Sequence, residues 1–222
     1  MNTSVRSTTR LLGAGLRALV ILTLVCGVLY PLAVTGVAQG LFHDKANGSE
    51  IRSEGKVVGS ELIGQRYDLP LKKGEETAAP DLKWFQPRPS NGLGENTVNT
   101  QYKLLLSGAT NRSGDNKELL KWVTDAKAAV VEDNSTADYK VKSSDVPADA
   151  VTSSGSGLDP HISLGYAELQ VHRVAEKNHL RVGQVEELVK KHTDGRILGF
   201  MGEPRVNVLK LNIALKELAE KN

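Results

Sequence analysis

Few residues in this chain are spaced for chemistry. Asp159-Pro160-His161 sets a carboxylate two residues from an imidazole, which could offer two ligands to a metal or simply close a polar turn. The turn is the reading adopted, because His43, His172, His179 and His192 are scattered and no His-Glu-x-x-His pair exists. Gly13-Ala14-Gly15-Leu16-Arg17-Ala18 has GxGxxA spacing but runs into an apolar helix with no strand before it, so it is no dinucleotide cradle. No phosphate-binding Gly-x4-Gly-Lys-Ser/Thr loop and no Gly-x-Ser-x-Gly nucleophile elbow occur. Cys26 sits in an apolar run that disfavours its thiolate.

Two polar segments and one helix face remain. Ser107-Gly108-Ala109-Thr110-Asn111 and Ser154-Gly155-Ser156-Gly157-Leu158-Asp159-Pro160-His161 are backbone-rich loops, suited to an anion, a partner loop or plain turns. Gln170, Arg173 and Lys177 recur at i, i+3, i+7 of a helix, turned from its apolar stripe toward a phosphate, a partner or solvent. Asn47-Gly48-Ser49 and Asn134-Ser135-Thr136 are glycosylation sequons, meaningful only in a glycosylating pathway.

The elements that position these residues read as follows. Ile51 to Gln65, punctuated by glycines, reads as a hairpin, and Tyr67 to Pro80 as a polar surface excursion. Trp84 to Ser90 carries Pro87 and Pro89 and cannot be helix interior. Ser90 to Asn116 reads as a long loop. A first helix spans Asp115 to Glu132, with Asp115 and Glu118 spaced as a capping box. Val146 to Val151 reads as a short strand and Thr152 to Ser163 as a loop. Further helices run Leu164 to Lys177, Gly183 to His192 (stopped by Thr193-Asp194-Gly195) and Leu209 to Glu220. Between the last two, Ile197 to Val208 ends in a short apolar strand. Strands and helices share one core, so the fold expected is a mixed α/β (α+β) domain.

Composition narrows the class. The 222 residues carry 28 Lys+Arg, 26 Asp+Glu and one cysteine, which excludes a disulfide scaffold and argues against nucleic acid as partner. The first 43 residues hold Arg6, Arg10 and Arg17 and no acid; setting those three aside leaves 25 basic and 26 acidic residues in 44–222, a net of −1.

Ala18 to Phe42 is 25 residues without a formal charge. As a helix it would be about 37 Å long, against a hydrocarbon core of about 30 Å. The organisation expected is therefore a basic cytoplasmic N-terminus (1–17), a transmembrane helix (18–42) with Tyr30-Pro31 near a kink, and an extracytoplasmic domain (43–222), in the cell membrane. A cleaved signal ending near Gly36-Val37-Ala38 is the rival reading. Gly27, Gly36 and Gly40 would let a second helix pack closely, with Tyr30 and Pro31 beside them.

In chain order, a series of segments then forms a pattern. They are Tyr30-Pro31-Leu32, Ala46-Asn47-Gly48-Ser49, Gly59-Ser60-Glu61-Leu62-Ile63-Gly64-Gln65, Phe85 with Arg88-Pro89-Ser90, and Ser107 to Asn111. After them come Ser156-Gly157-Leu158-Asp159, Gln170 with Arg173-Val174-Ala175, Gly202-Glu203-Pro204 with Val206-Asn207-Val208, and Leu211-Asn212 with Ala214-Leu215. Over roughly 190 residues the chain resembles the C subunit of the Kdp potassium-transporting P-type ATPase of prokaryotes, departing from it in a charged insertion around Leu71 to Lys83.

The resemblance implies a non-catalytic accessory subunit of an ATP-driven potassium uptake complex. It implies as partners a channel-like potassium-binding subunit, an ATP-hydrolysing subunit, a small single-helix subunit, and membrane lipid. The family is described as a catalytic chaperone that raises nucleotide affinity in the ATP-hydrolysing subunit. No cofactor is then bound tightly, and ATP would be met only in the shared complex, at Gln170, Arg173, Ser107, Gly108, Asn111, Ser156, Gly157 and Asp159. A body outside the cytoplasm sits on the wrong side for ATP, so capping the pore mouth where potassium arrives is the competing mechanism. The chain has neither the Asp-Lys-Thr-Gly-Thr phosphorylation motif nor a Thr-Val-Gly-Tyr-Gly filter, and no catalytic residue is expected. A membrane-tethered extracytoplasmic enzyme using Asp159 and His161, and a secreted binding protein, are the alternatives.

Overall fold

A computed structural model describes residues 2–73, 78–90, 107–108 and 111–221. The chain forms two compact units, Met1–Ser49 and Glu50–Asn222.

The first unit is helical: α1 (Asn2–Leu24), one π turn (Val25–Leu29), α2 (Tyr30–Leu41) and the short α3 (His43–Ala46). Pro31 explains the π turn. It has no amide to give the Gly27 carbonyl, and its ring crowds the preceding turn. The helix widens, and the Tyr30 N–H bonds to the Val25 carbonyl five residues back. The expected kink is thus absorbed as one wide turn in a helix that continues to Leu41. Ser7–Leu41 is long and apolar enough to cross a membrane. Leu19, Ile21, Leu22, Leu29 and Leu32 are all more than half exposed. A Cβ on Gly36 or Gly40 would meet nothing within 4 Å, and on Gly27 only Thr23 Cγ2 at 4.0 Å.

The second unit begins with the expected hairpin, β1 (Glu50–Ser53) against β2 (Lys56–Ser60). Its two-residue turn, Glu54 at φ 51° and Gly55 at φ 77°, has the left-handed pair that matches strand twist. The remaining elements are α4 (Lys117–Asn134), β3 (His161–Ser163), α5 (Leu164–Lys177), α6 (Val182–Lys191), β4 (Thr193–Asp194), β5 (Arg205–Asn207) and α7 (Val208–Glu220). The small strands make an antiparallel sheet of order β3-β5-β4. The unit is therefore the mixed α/β domain expected.

The helix α5 is the centre of the core. Ser163 caps it, its hydroxyl accepting the Tyr166 N–H at 3.1 Å, and Asp149 in turn accepts the Ser163 amide at 2.7 Å and hydroxyl at 2.9 Å. Ala167 and Val174 are fully buried on its apolar stripe, and it packs on α4 and α6. Phe85, Ile162, Val206, Leu211 and Leu215 complete the same cluster. Leu211 and Leu215 are buried as their spacing predicts, while Leu218 is only half-buried.

Several local readings are corrected. Asn116, not Asp115, caps α4, accepting the Glu118 and Leu119 amides at 3.1 and 3.0 Å. Val146 to Val151 is not a strand: Ser143–Asp145 and Ala148–Ala150 form 3₁₀ turns, because Pro147 between them has no ladder donor. The loop after Thr152 ends three residues early, in β3, and Thr193–Asp194 is a strand as well as a helix stop. Tyr67 belongs to the core rather than to a surface excursion, and Asp68 bridges Pro80. Most of the loop from Ser90 to Asn116, with Ala109 and Thr110, lies outside the described residues.

Candidate functional site

The residues singled out in the sequence fall into two clusters. The first surrounds the aromatic segment 82–86. Pro87 and Pro89 keep this segment out of a sheet, so its buried backbone groups need partners from elsewhere. Side chains supply them. Asn212 of α7 accepts the Phe85 N–H at 2.9 Å and donates to the Phe85 carbonyl at 2.9 Å. Gln170 of α5 does the same for Gln86, at 2.7 and 3.2 Å. Arg173 donates to the carbonyls of Leu82 and Trp84, the latter at 3.0 Å, to Asn134 Oδ1 at 2.8 Å and to Gln170 Oε1 at 2.7 Å.

Gln170 is 0% and Arg173 1% exposed. The expectation that they face a phosphate or a partner is corrected: they point inward, and only Lys177 of that row is exposed. Burial pulls the Arg173 guanidinium down to about 10, with Tyr166, Asp133 and Asp81 nearby opposing the shift. The same burial pushes the Asp133 carboxyl up. Asn134, in the second sequon, is 3% exposed and holds Arg173, so it is no glycan acceptor in the folded chain.

The second cluster joins the two polar loops. The Gly108 N–H and the Ser107 hydroxyl both bond to the Ser156 carbonyl, at 2.8 and 3.1 Å. Gly157, at φ 69°, sits so close to the other loop that a Cβ would lie 3.0 Å from the Gly108 carbonyl oxygen. Ser90 donates to the Gly157 carbonyl, and Arg88 to those of Thr152 and Ser153 at 3.4 and 3.1 Å. Asp159 accepts the His161 backbone N–H at 3.0 Å, lies 3.2 Å from His161 Nδ1, and pairs with Arg88 at 3.6 Å. The hydrogen bond from His161 holds the Asp159 carboxyl below the usual carboxylate range, against the effect of partial burial. Asn111 is exposed in the left-handed region at φ 49°.

Ser107, Gly108, Ser156 and Gly157 therefore meet, while Gln170 and Arg173 belong to the separate inner cluster. Among the described residues no group of three or more His, Cys, Asp or Glu could hold a metal ion. Asp159 and His161 form a braced turn, with Asp159 engaged by Arg88. The sequence reading missed the roles of Asn212 and Arg88. The available signal was Asn212 itself, an amide at a core-facing position among Leu211, Ile213 and Leu215.

Comparison with known proteins gives consistent matches. The family model of KdpC, the K+-transporting ATPase c chain, matches residues 12–217. A potassium-transporting ATPase KdpC subunit of Streptomyces avermitilis is 77% identical over 218 residues, 98% of each chain. The subunit of the same name in Streptomyces coelicolor is 70% identical over 98% of this chain and 97% of its own. That of Mycobacterium tuberculosis is 44% identical over 91% of this chain and 96% of its own.

Proposed function

Since the chain belongs to the KdpC family, the c chain of K+-transporting ATPases, we propose that it is the membrane-anchored, non-catalytic accessory subunit of a potassium-transporting ATPase complex. The observation that carries this reading is the family match across 12–217, which takes in the apolar helix as well as the body. In this reading Ser7–Leu41 spans the membrane once, with the arginine-bearing N-terminus inside and the body outside. The subunit holds the channel-like potassium-binding subunit and the ATP-hydrolysing subunit together, and it covers the mouth where potassium arrives. Gln170 and Arg173, two side chains nominated for nucleotide, are occupied within the fold. That favours assembly and capping over a direct effect on nucleotide affinity.

The glycines of the spanning helix fit this role. Gly36 and Gly40 have open space around them and Gly27 nearly so, leaving the surface free for another helix to approach. Replacing all three by leucine is expected to lower recovery of the complex about tenfold, a loss of the size attributed to close helix packing. Undiminished recovery removes the packing claim. Sidedness is tested with Cys26→Ser and a new cysteine at the exposed Asp138. A membrane-impermeant maleimide should label it in intact cells. Labelling only after permeabilisation places the body inside and restores the nucleotide mechanism. Failure of the wild-type chain to co-purify with the other subunits rejects the accessory-subunit reading altogether.

A further inference from the structure

Between β4 and β5 the chain makes a tight hairpin, 195–204. Ile197 and Met201 bridge, with the Ile197 N–H bonded to the Met201 carbonyl at 2.8 Å and the Met201 N–H to the Ile197 carbonyl at 3.0 Å. The Gly199 and Phe200 amides turn back to the carbonyls of Arg196 and Ile197 at 3.1 and 3.3 Å. Leu198 and Gly199 both adopt left-handed backbone, at φ 54° and 82°. That conformation is unusual for a leucine, and the tip that contains it is otherwise well bonded.

This ordered tip carries apolar side chains into solvent. Ile197 is 61%, Leu198 81%, Phe200 69% and Met201 48% exposed. In the second unit, nine large apolar side chains of the described residues are exposed, and four of the nine lie in these five positions. The others, Leu62, Leu69, Leu71, Leu120 and Trp122, are spread through three other segments, as scattered surface apolars normally are. A clustered apolar tip marks a contact. Its backbone is already ordered, so seating it costs little conformational entropy, the condition under which a few anchors dominate an interface.

The charges around the tip select the partner. Arg196 pairs with Glu203 at 2.9 Å at the base of the hairpin. Asp194 and Arg205 flank that pair, so 194–205 has no net charge. A shallow apolar loop holds to an anionic lipid surface chiefly when basic residues add attraction, and none are in excess here. Two of the cavities on this chain are rimmed by charge: Asp145, Glu168, Glu186 and Lys190 at one, Arg181, Glu187 and Lys191 at another. A tip-to-groove contact between copies, including one into the more apolar groove lined by Leu119, Trp122, Val123 and Val151, would run head to tail and build a ring or a filament rather than a closed pair. We infer that the hairpin 195–204 is a docking knob that seats Leu198 and Phe200 in an apolar pocket of another subunit of the same complex. The inference rests on the accessory-subunit reading.

The test uses the full chain co-expressed with the other subunits of its transporter. With Phe200 replaced by the photo-crosslinker benzoylphenylalanine, illumination of membranes should give an adduct to a partner subunit. An adduct to lipid or to a second copy of the chain, or no adduct, overturns the inference. Separately, the double variant Leu198→Asp, Phe200→Asp should reduce recovery of the partner subunits about tenfold or more. Because these side chains are exposed, the melting temperature of the purified chain should move by no more than about 2 °C. Phe200→Leu should keep recovery near wild type. If the wild-type chain co-purifies and the double variant does so equally well, the knob is rejected while the accessory-subunit reading stands. If the wild-type chain fails to co-purify, both fall.

Discussion

The inner row of α5 and the tip of the 195–204 hairpin invert the usual placement of polar and apolar groups. Arg173, a guanidinium, is 1% exposed, whereas Leu198 is 81% exposed. The difference lies in what each finds within the chain. Arg173 donates to two carbonyls and two side-chain oxygens of its own fold, so its burial is compensated. The apolar tip stays largely in solvent, Leu198 and Phe200 most of all. A polar group whose partners are all internal holds the structure together; a cluster of ordered apolar groups left in solvent marks a contact with another molecule.

The sharpest way to break this comparison is Arg173→Met. The variant leaves the carbonyls of Leu82 and Trp84 and Asn134 Oδ1 without their Arg173 donor, and Gln170 Oε1 with the Gln86 N–H alone. A loss of about 3–5 kcal/mol is expected, read from urea unfolding of the full chain in detergent. Arg173→Lys should recover only part of it, because an ammonium cannot span four acceptors set out for a planar fork. Wild-type stability together with a weakened complex would mean that Arg173 works at an interface after all, and the contrast with the tip would dissolve.

The next effect concerns the seam between the polar loops. Gly157→Ala combines a left-handed backbone with a Cβ 3.0 Å from the Gly108 carbonyl oxygen, so either the loop shifts or strain remains. A cost of about 1–3 kcal/mol follows, checked by thermal unfolding. If the Ser107–Ser156 seam is internal bracing like the Arg173 cluster, complex formation by the folded fraction stays intact. A variant that is stable but deficient in assembly would move this seam to the side of the hairpin tip.

How far these placements could be read in advance depended on the range of the interaction. The bounds Leu164–Lys177 of α5 were legible because a cap and a 3.6-residue stripe are both local. The long apolar helix was legible because length and lack of charge suffice. The strand β3 was not, since His161–Ser163 is too short to show a period and exists only by pairing with β5, more than forty residues on. Burial of Gln170 and Arg173 was invisible for the same reason. The carbonyls they satisfy lie 84 to 91 residues away, at Gln86, Trp84 and Leu82. The two polar loops stood out as backbone-rich, but that Ser107 and Gly108 bond to Ser156 is a fact of tertiary structure.

The smallest expected effect tests whether the Arg88–Asp159–His161 turn is bracing or chemistry. In Asp159→Asn the amide oxygen can still accept the His161 backbone N–H, so the variant isolates the carboxylate charge. The His161 hydrogen bond, aided by Arg88, holds the folded-state pKa of Asp159 below the ordinary value near 4. A carboxylate depressed on folding contributes stability that is fully present above its unfolded pKa and is lost as pH falls through the folded one. The wild type should therefore exceed Asp159→Asn by up to about 1 kcal/mol at pH 7, a bound set by the partial exposure of the Arg88 pair. The gap should close as pH falls below the ordinary carboxylate range, through the lowered folded-state pKa. A gap that persisted in acid would come from packing rather than charge. An unchanged melting curve with a loss of transport would show that Asp159 meets something outside this chain, and would place the turn beside the hairpin tip as a surface made for a partner.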